Sequence, residues 1–307
     1  MSMNVVTGAF GYIGRYIARR LLDAGETVRT ITTHPDKPNP FGESVQAFPL
    51  NFENPDEITA NLRGATTLFN TYWIRFAYGG VTFEQAVHNT AVLFDCARQA
   101  GVKRIVHISV TNASLDSNLA YYRGKARQEQ VLVTCGLPYA IIRPTLVFGR
   151  EDILVNNIAW LLRKFPVFPI FGTGAYRLQP VFVGDVAEVA VASAKEQGPK
   201  TVDAIGPETY SFSEFVNLLA SQLNPGVRLV RLPPRAGIAL GSLIGLAMRD
   251  VLLTQAELQG LMEEMLTSQQ APNGSTRFSQ WLAEHRNEIG KSYTSELQRH
   301  FHWSKSS

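Results

Sequence analysis

Cysteine is scarce in this chain: Cys96 and Cys135 are the two present among 307 residues, far apart and each within a helical pattern. That excludes a disulfide-stapled scaffold and leads us to expect two reduced, buried thiols in a cytoplasmic protein. An excess of one charge is also missing. The 29 Lys and Arg against 26 Asp and Glu leave +3, spread along the chain, which is too small and diffuse for nucleic-acid binding. The longest apolar stretch, residues 236–248, falls short of the ~20 residues of a membrane span. It reads as a close-packing helix or a membrane-contacting one. The start of the chain has no basic n-region or cleavage site, so no export signal is expected. No Gly-x-Ser-x-Gly elbow occurs, against a serine hydrolase of the α/β kind. The six histidines are scattered, and His300 and His302 have no helically spaced partner, so no metal site is expected. Gly290-Lys291-Ser292 lacks the leading glycine of a phosphate loop and reads as a helix end. Internal repeats and low-complexity segments are absent too.

What is present is concentrated at the start. Asn4-Val-Val-Thr7 runs into Gly8, Gly11 and Gly14 at three-residue spacing, and a helical pattern follows. This is the order expected of a first parallel strand, a tight turn and a helix N-terminus whose backbone N–H groups face a pyrophosphate. Gly8 permits the turn, Gly11 admits the phosphate, and Gly14 lets helix and strand pack closely. The cofactor-binding candidates here are Gly8, Phe10, Gly11, Tyr12, Ile13 and Gly14.

Further on, strands are expected over 27–33, 45–50, 66–70, 104–109 and 139–143, alternating with helices over 15–24, 82–100 and 121–135. Asn54-Pro55-Asp56-Glu57 is a capped helix start. The alternation predicts an α/β, Rossmann-like doubly wound parallel sheet, with ligands at the carboxyl ends of its strands. After Gly149 the pattern loosens. A helix over 153–164, a Pro/Phe-rich turn over 165–173, strands over 180–183 and 227–232, and two capping boxes at Ser211 and Thr254 suggest a smaller, mainly helical C-terminal lobe. The expected division is 1–150 as the dinucleotide-binding domain, with 179–200 returning to it, and 151–178 with 201–307 as the second lobe.

Tyr121 and Lys125 are four apart, so they share a helix face. A lysine cation one turn from a phenol stabilises phenolate and lowers a pKa of ~10. The phenol can then exchange a proton with a carbonyl or alcohol oxygen.

These marks resemble the short-chain dehydrogenase/reductase superfamily. They are Thr7–Gly14, Tyr121-x-x-x-Lys125, Ile142-Arg-Pro-Thr-Leu-Val-Phe-Gly149 and Gln179–Ala187. More closely the chain is similar to the extended, atypical NAD(P)-binding, epimerase-like group that includes an accessory subunit of respiratory complex I and its bacterial relatives. Asn70-Thr71-Tyr72-Trp73-Ile-Arg75 and the closing 293–301 carry that likeness.

The resemblance implies that Gly8, Gly11 and Gly14 hold the pyrophosphate, that Pro144 and Thr145 lie beside the nicotinamide, and that Lys125 also reaches its ribose. Asn70, Thr71 and Tyr72 line the same cofactor. Three departures accompany it. The usual Ser/Thr beyond the fifth strand falls on Val110, with Ser109 and Thr111 on either side, and one or the other is the candidate oxyanion donor. Asn51 stands where an acidic residue meets the adenine. No carboxylate closes the second strand, which carries Thr32, Thr33 and His34, then Asp36 and Lys37, and so NADP(H) is favoured, with NAD(H) left open.

The function expected is an NAD(P)H-dependent oxidoreductase or epimerase-like enzyme on a small carbonyl or alcohol, with Tyr121 as acid/base. The alternative is a non-catalytic NAD(P)H-binding redox-sensing, assembly or accessory protein. A small-molecule substrate is the first partner expected. Peripheral association with a membrane or a complex is a further option.

Overall fold

The computed structural model describes residues 2–233, 235–236, 250–251, 254–295 and 297. It separates into two compact units, residues 1–144 with 183–204, and residues 145–182 with 205–307.

In the first unit, short runs rich in β-branched and aromatic residues give strands β1 (Met3–Thr7), β2 (Thr27–Thr32), β3 (Val45–Pro49), β4 (Thr67–Asn70), β5 (Arg104–Ile108) and β6 (Tyr139–Pro144), the central β1, β4 and β5 being buried on both faces. A seventh, Lys200–Ala204, pairs in parallel with β6 and was not foreseen in the sequence. With it the sheet runs in the order Lys200–Ala204, β6, β5, β4, β1, β2, β3, every pair parallel. The crossovers include helices α1 (Tyr12–Asp23), α2 (Pro55–Leu62), α3 (Phe83–Gln99) and α4 (Ala120–Thr134). Local chemistry starts two of them, the first as the sequence implies. The Asn54 side chain accepts from Glu57 N ahead of Pro55, and the Thr82 side chain accepts from Gln85 N. One face of the sheet packs Ile31, Leu68 and Ile105 on Ile58, Leu93 and Phe94, all excluded from water. Each such side chain contributes about 1.5–3 kcal/mol of burial.

The second unit is built on an aromatic core. Phe278 stacks on Phe215 at 4.8 Å and meets Phe148 edge-on at 5.0 Å. Helices Leu154–Lys164, Phe212–Leu223, Gln255–Met262 and Phe278–His285 surround it. The capping boxes at Ser211 and Thr254 form as expected. The turn expected over 165–173 is instead largely a strand, Val167–Phe171, pairing in parallel with Arg228–Leu232. The two prolines there left no alternation to read, but Pro169 tolerates a place in a two-stranded ribbon. The apolar stretch 236–248 lies almost wholly outside the described residues, as do His300, His302 and most of 293–301. Among the described residues no helix is long and apolar enough to cross a membrane.

Candidate functional site

Ligand geometry begins where β1 stops. Gly8 has φ +63°, a left-handed backbone that strains an L side chain. A Cβ on Gly14 would stand 2.4 Å from the Gly8 carbonyl oxygen, so helix and turn are in contact as the spacing predicts. Gly11 is the N-cap of α1 and offers no side chain to the first turn, leaving its N-terminus to an anion. A Cβ there would meet the Gly8 oxygen at 3.1 Å, so Gly11 serves the turn's own packing as well as phosphate approach. Phe10 is buried, and its carbonyl accepts from the Arg15 guanidinium at 3.3 Å. Tyr12 and Ile13 are half-buried in the first turn. This cradle, with a left-handed Gly8, little or no room for a Cβ at Gly11 and Gly14, and no side-chain cap, fits a dinucleotide pyrophosphate.

The turn is stitched to its neighbours by hydroxyls. Thr30 Oγ1 accepts from Ala9 N at 2.9 Å and donates to the Val6 carbonyl at 2.8 Å. Thr7 Oγ1 accepts from Thr71 N at 2.7 Å, and Thr71 Oγ1 donates to the Thr7 carbonyl at 2.6 Å. Asn70, fully buried, accepts at Oδ1 from Tyr72 N and Thr7 Oγ1. Its Nδ2 therefore donates to His107 Nδ1 at 3.0 Å, which places the imidazole proton on Nε2. Burial, then the nearby Lys125, holds His107 well below the usual histidine range. Thr30 and His107 were not singled out in the sequence. Their signal is weak: two ordinary strand positions beside the glycine turn.

At the β2 end the Thr32 hydroxyl accepts from His34 N at 3.2 Å and Lys37 N donates to the His34 carbonyl, a turn that gathers Thr33, His34 and Lys37 beyond the strand. Asn51 is exposed, and its side chain accepts from Glu53 N. Phe52, missed in the sequence, packs 5.0 Å from the Tyr72 ring. The Tyr72 hydroxyl accepts from Asn89 at 2.9 Å, and burial raises its pKa.

At the other end of the cradle, Lys125 is 3 % exposed and its amine donates to the Ile108 carbonyl at 2.9 Å. Burial pushes it down to about 7, against the opposing pull of Glu129. The expected role of a permanent cation beside a phenol is weakened accordingly. The Trp73 ring lies 4.9 Å from this amine and edge-on to Tyr121 at 5.9 Å. The two hydroxyls expected as oxyanion donors are engaged elsewhere. Ser109 donates to Glu129, which is paired with Arg143. Thr111 donates to Asp203 at 3.3 Å. Pro144 ends β6, and Thr145 is buried at the start of the second unit. The structure thus brings Gly8–Gly14, Asn70–Tyr72 and Lys125 to one edge of the sheet, the carboxyl end of its strands.

Residues 8–152 match the family model described as NAD(P)H-binding. The chain is 28% identical over 239 residues to the mitochondrial NADH dehydrogenase [ubiquinone] 1 alpha subcomplex subunit 9 of Arabidopsis thaliana, covering 74% of this chain and 60% of that one. To the Rattus norvegicus subunit of the same name it is 30% identical over 216 residues, covering 68% and 55%. The match therefore spans less than two thirds of these relatives' length. Among solved structures, the Citrobacter triphenylmethane reductase superposes with a TM-score of 0.77 at 17% identity, over 94% of this chain and 100% of that one. A nucleoside-diphosphate-sugar epimerase from Staphylococcus aureus gives 0.69 at 16%, over 97% and 100%. At such identities these two establish the fold alone. The relatives correct the expected partner. A small-molecule substrate stood first and complex association was only an option, yet the curated relatives are named as subunits of a respiratory complex. Residues 8–152 thus match an NAD(P)H-binding family model, in a chain that is similar to the alpha-subcomplex subunits named above and shares its fold with the reductase and the epimerase.

Proposed function

We propose that this chain holds an NAD(P)H molecule as a bound constituent of a protein assembly and does not turn it over. The observation that carries the binding half is the glycine cradle, with Gly8 at φ +63° and Gly14 within 2.4 Å of backbone oxygen once given a Cβ. Gly8, Gly11 and Gly14 would hold the pyrophosphate, and Asn70 and Thr71 would frame it. Thr33, His34 and Lys37 would meet a 2′-phosphate, which favours NADP(H). Bound there, the group would supply a hydride donor or acceptor. The holding half rests on Ser109 being committed to Glu129 and on Lys125 lying beneath Trp73. Membership of an assembly is carried over from the relatives' names.

A second reading keeps an enzyme: Tyr121 and Lys125 share a face of α4 one turn apart, as proton exchange with a carbonyl or alcohol requires. One experiment separates the two. The purified chain is titrated with NADPH and NADH, then screened with carbonyl substrates for loss of reduced-cofactor absorbance. Tight binding without turnover is the expected result. Turnover that falls about 10²–10⁴-fold in Tyr121→Phe would establish the enzyme instead.

A further inference from the structure

Strand order sets where the two halves of a dinucleotide go. With its pyrophosphate on the turn between β1 and α1, one nucleoside lies toward β2 and β3, where a ribose meets the end of β2, and the other toward β4 and β5. The second direction is covered. Trp73 follows β4 by three residues, and its indole is held on several sides. Phe83 stacks on it at 5.4 Å with an interplanar angle of 18°. Tyr121 meets it edge-on at 5.9 Å, and the Lys125 amine sits 4.9 Å from the ring. Beneath it is Gly124, where a Cβ would lie 2.7 Å from the indole's Cη2. The fit against Gly124 is close enough that no other residue type would leave room. Trp73 Nε1 is buried with no hydrogen-bond partner among the described residues, so the indole is placed by packing against the neighbouring rings, Gly124 and the Lys125 amine.

We infer that Trp73 closes the nicotinamide end of the site, so that the protein recognises the ADP-ribose half of its ligand and is indifferent to the nicotinamide. This rests on the dinucleotide reading above. No second nucleoside reaches the Lys125 amine while the indole stays, because Lys125 is 3 % exposed, with its amine against the indole and donating to the Ile108 carbonyl. The ligand class is accordingly any ADP-ribose-type nucleotide, with or without a nicotinamide and in either redox state.

The test is calorimetric titration of the full chain with NADPH, NADH, 2′-phospho-ADP-ribose and ADP-ribose. In the wild type each dinucleotide should bind less than about tenfold tighter than its nicotinamide-free counterpart. In Trp73→Leu, which keeps an apolar filler, and in Trp73→Ala, the dinucleotides should gain about tenfold or more over those counterparts as Lys125 is uncovered. A wild-type preference for the nicotinamide-bearing ligands beyond tenfold overturns the inference alone, and this arm needs no variant to fold. Trp73 variants in which the dinucleotides gain nothing, or weaken, overturn it too, since the indole would then be a platform and not a cover. Failure of all four ligands to bind the wild type overturns the dinucleotide reading, and this inference with it.

Discussion

Lys125 carries its amine into a place where an ammonium is poorly solvated, and the consequence can be measured. In an open chain it titrates near 10.5, and in the fold burial brings it to about 7. Below pH 7 both states hold the proton, and the folded state bears the desolvation cost in full. Between about 7 and 10.5 the unfolded chain binds the proton and the folded one has released it, so stability rises with pH across that window. Lys125→Met has no such proton. We expect Met to be the more stable variant at pH 6.5, with the difference in urea midpoint narrowing by pH 9. A gap that stays constant would mean the amine does not titrate within the fold. At this scale the sequence was informative about spacing and silent about partners. Tyr121 and Lys125 could be placed on one face of a helix from their numbers alone. That the same face continues four residues on to Glu129, and that Glu129 would draw both Ser109 and Arg143, depends on side chains meeting across β5 and β6. Pattern reading placed Ser109 near the site but could not tell which way its hydroxyl points.

The glycine turn shows how an element is assembled from small contributions. Its helix and strand were legible because a buried valine pair, three spaced glycines and an amphipathic helix all agree. What holds the turn to the next strand was not, since Thr30 looks like any β-branched strand residue. Its hydroxyl is fully buried and serves two backbone groups, Ala9 N and the Val6 carbonyl. Thr30→Val keeps the shape and removes both bonds, leaving the Ala9 N–H without its acceptor. Such an orphaned buried group costs about 1–3 kcal/mol. We expect the urea midpoint to drop accordingly and nucleotide affinity to fall, because the turn loses its anchor. Unchanged stability in Thr30→Val would show that Ala9 finds water or another acceptor. Strand Val167–Phe171 gives the opposite lesson. Its prolines read as a turn, while parallel pairing with Arg228–Leu232, some sixty residues on, makes it a strand. Long-range pairing of that kind overrides local propensity.

At the scale of the whole chain, regular alternation made the first unit readable and its loss made the second one obscure. The parallel sheet follows from strand–helix repeats. By contrast the second unit is held by Phe148, Phe215, Phe278 and Trp281, drawn from distant segments, and no local period announces them. The sheet also has two unlike edges, and this yields the broadest prediction. Its carboxyl edge carries Gly8–Gly14, Thr32–Lys37, Asn51 and Asn70–Tyr72. The opposite edge carries the turns that enter the strands, among them Gly25–Glu26, Ala65–Thr66 and Gly101–Val102, whose backbone N–H groups are already bonded: Glu26 to Leu21, Ala65 to Leu62, Val102 to Ala97. Among amides that exchange by local opening, a ligand adds protection where they are reorganised or covered. Hydrogen exchange with and without saturating NADPH should therefore slow the amides of 8–14, 32–37 and 70–72 and leave those of 25–26, 65–66 and 101–102 unchanged. At a ligand concentration of 100 times Kd, binding adds about 2.7 kcal/mol to the folded state, so amides that exchange by global opening of this unit will slow together. The comparison must use the faster ones that exchange by local opening. Protection at the amino-terminal edge, or none at the glycine turn, would move the nucleotide away from the cradle that β1 and α1 build.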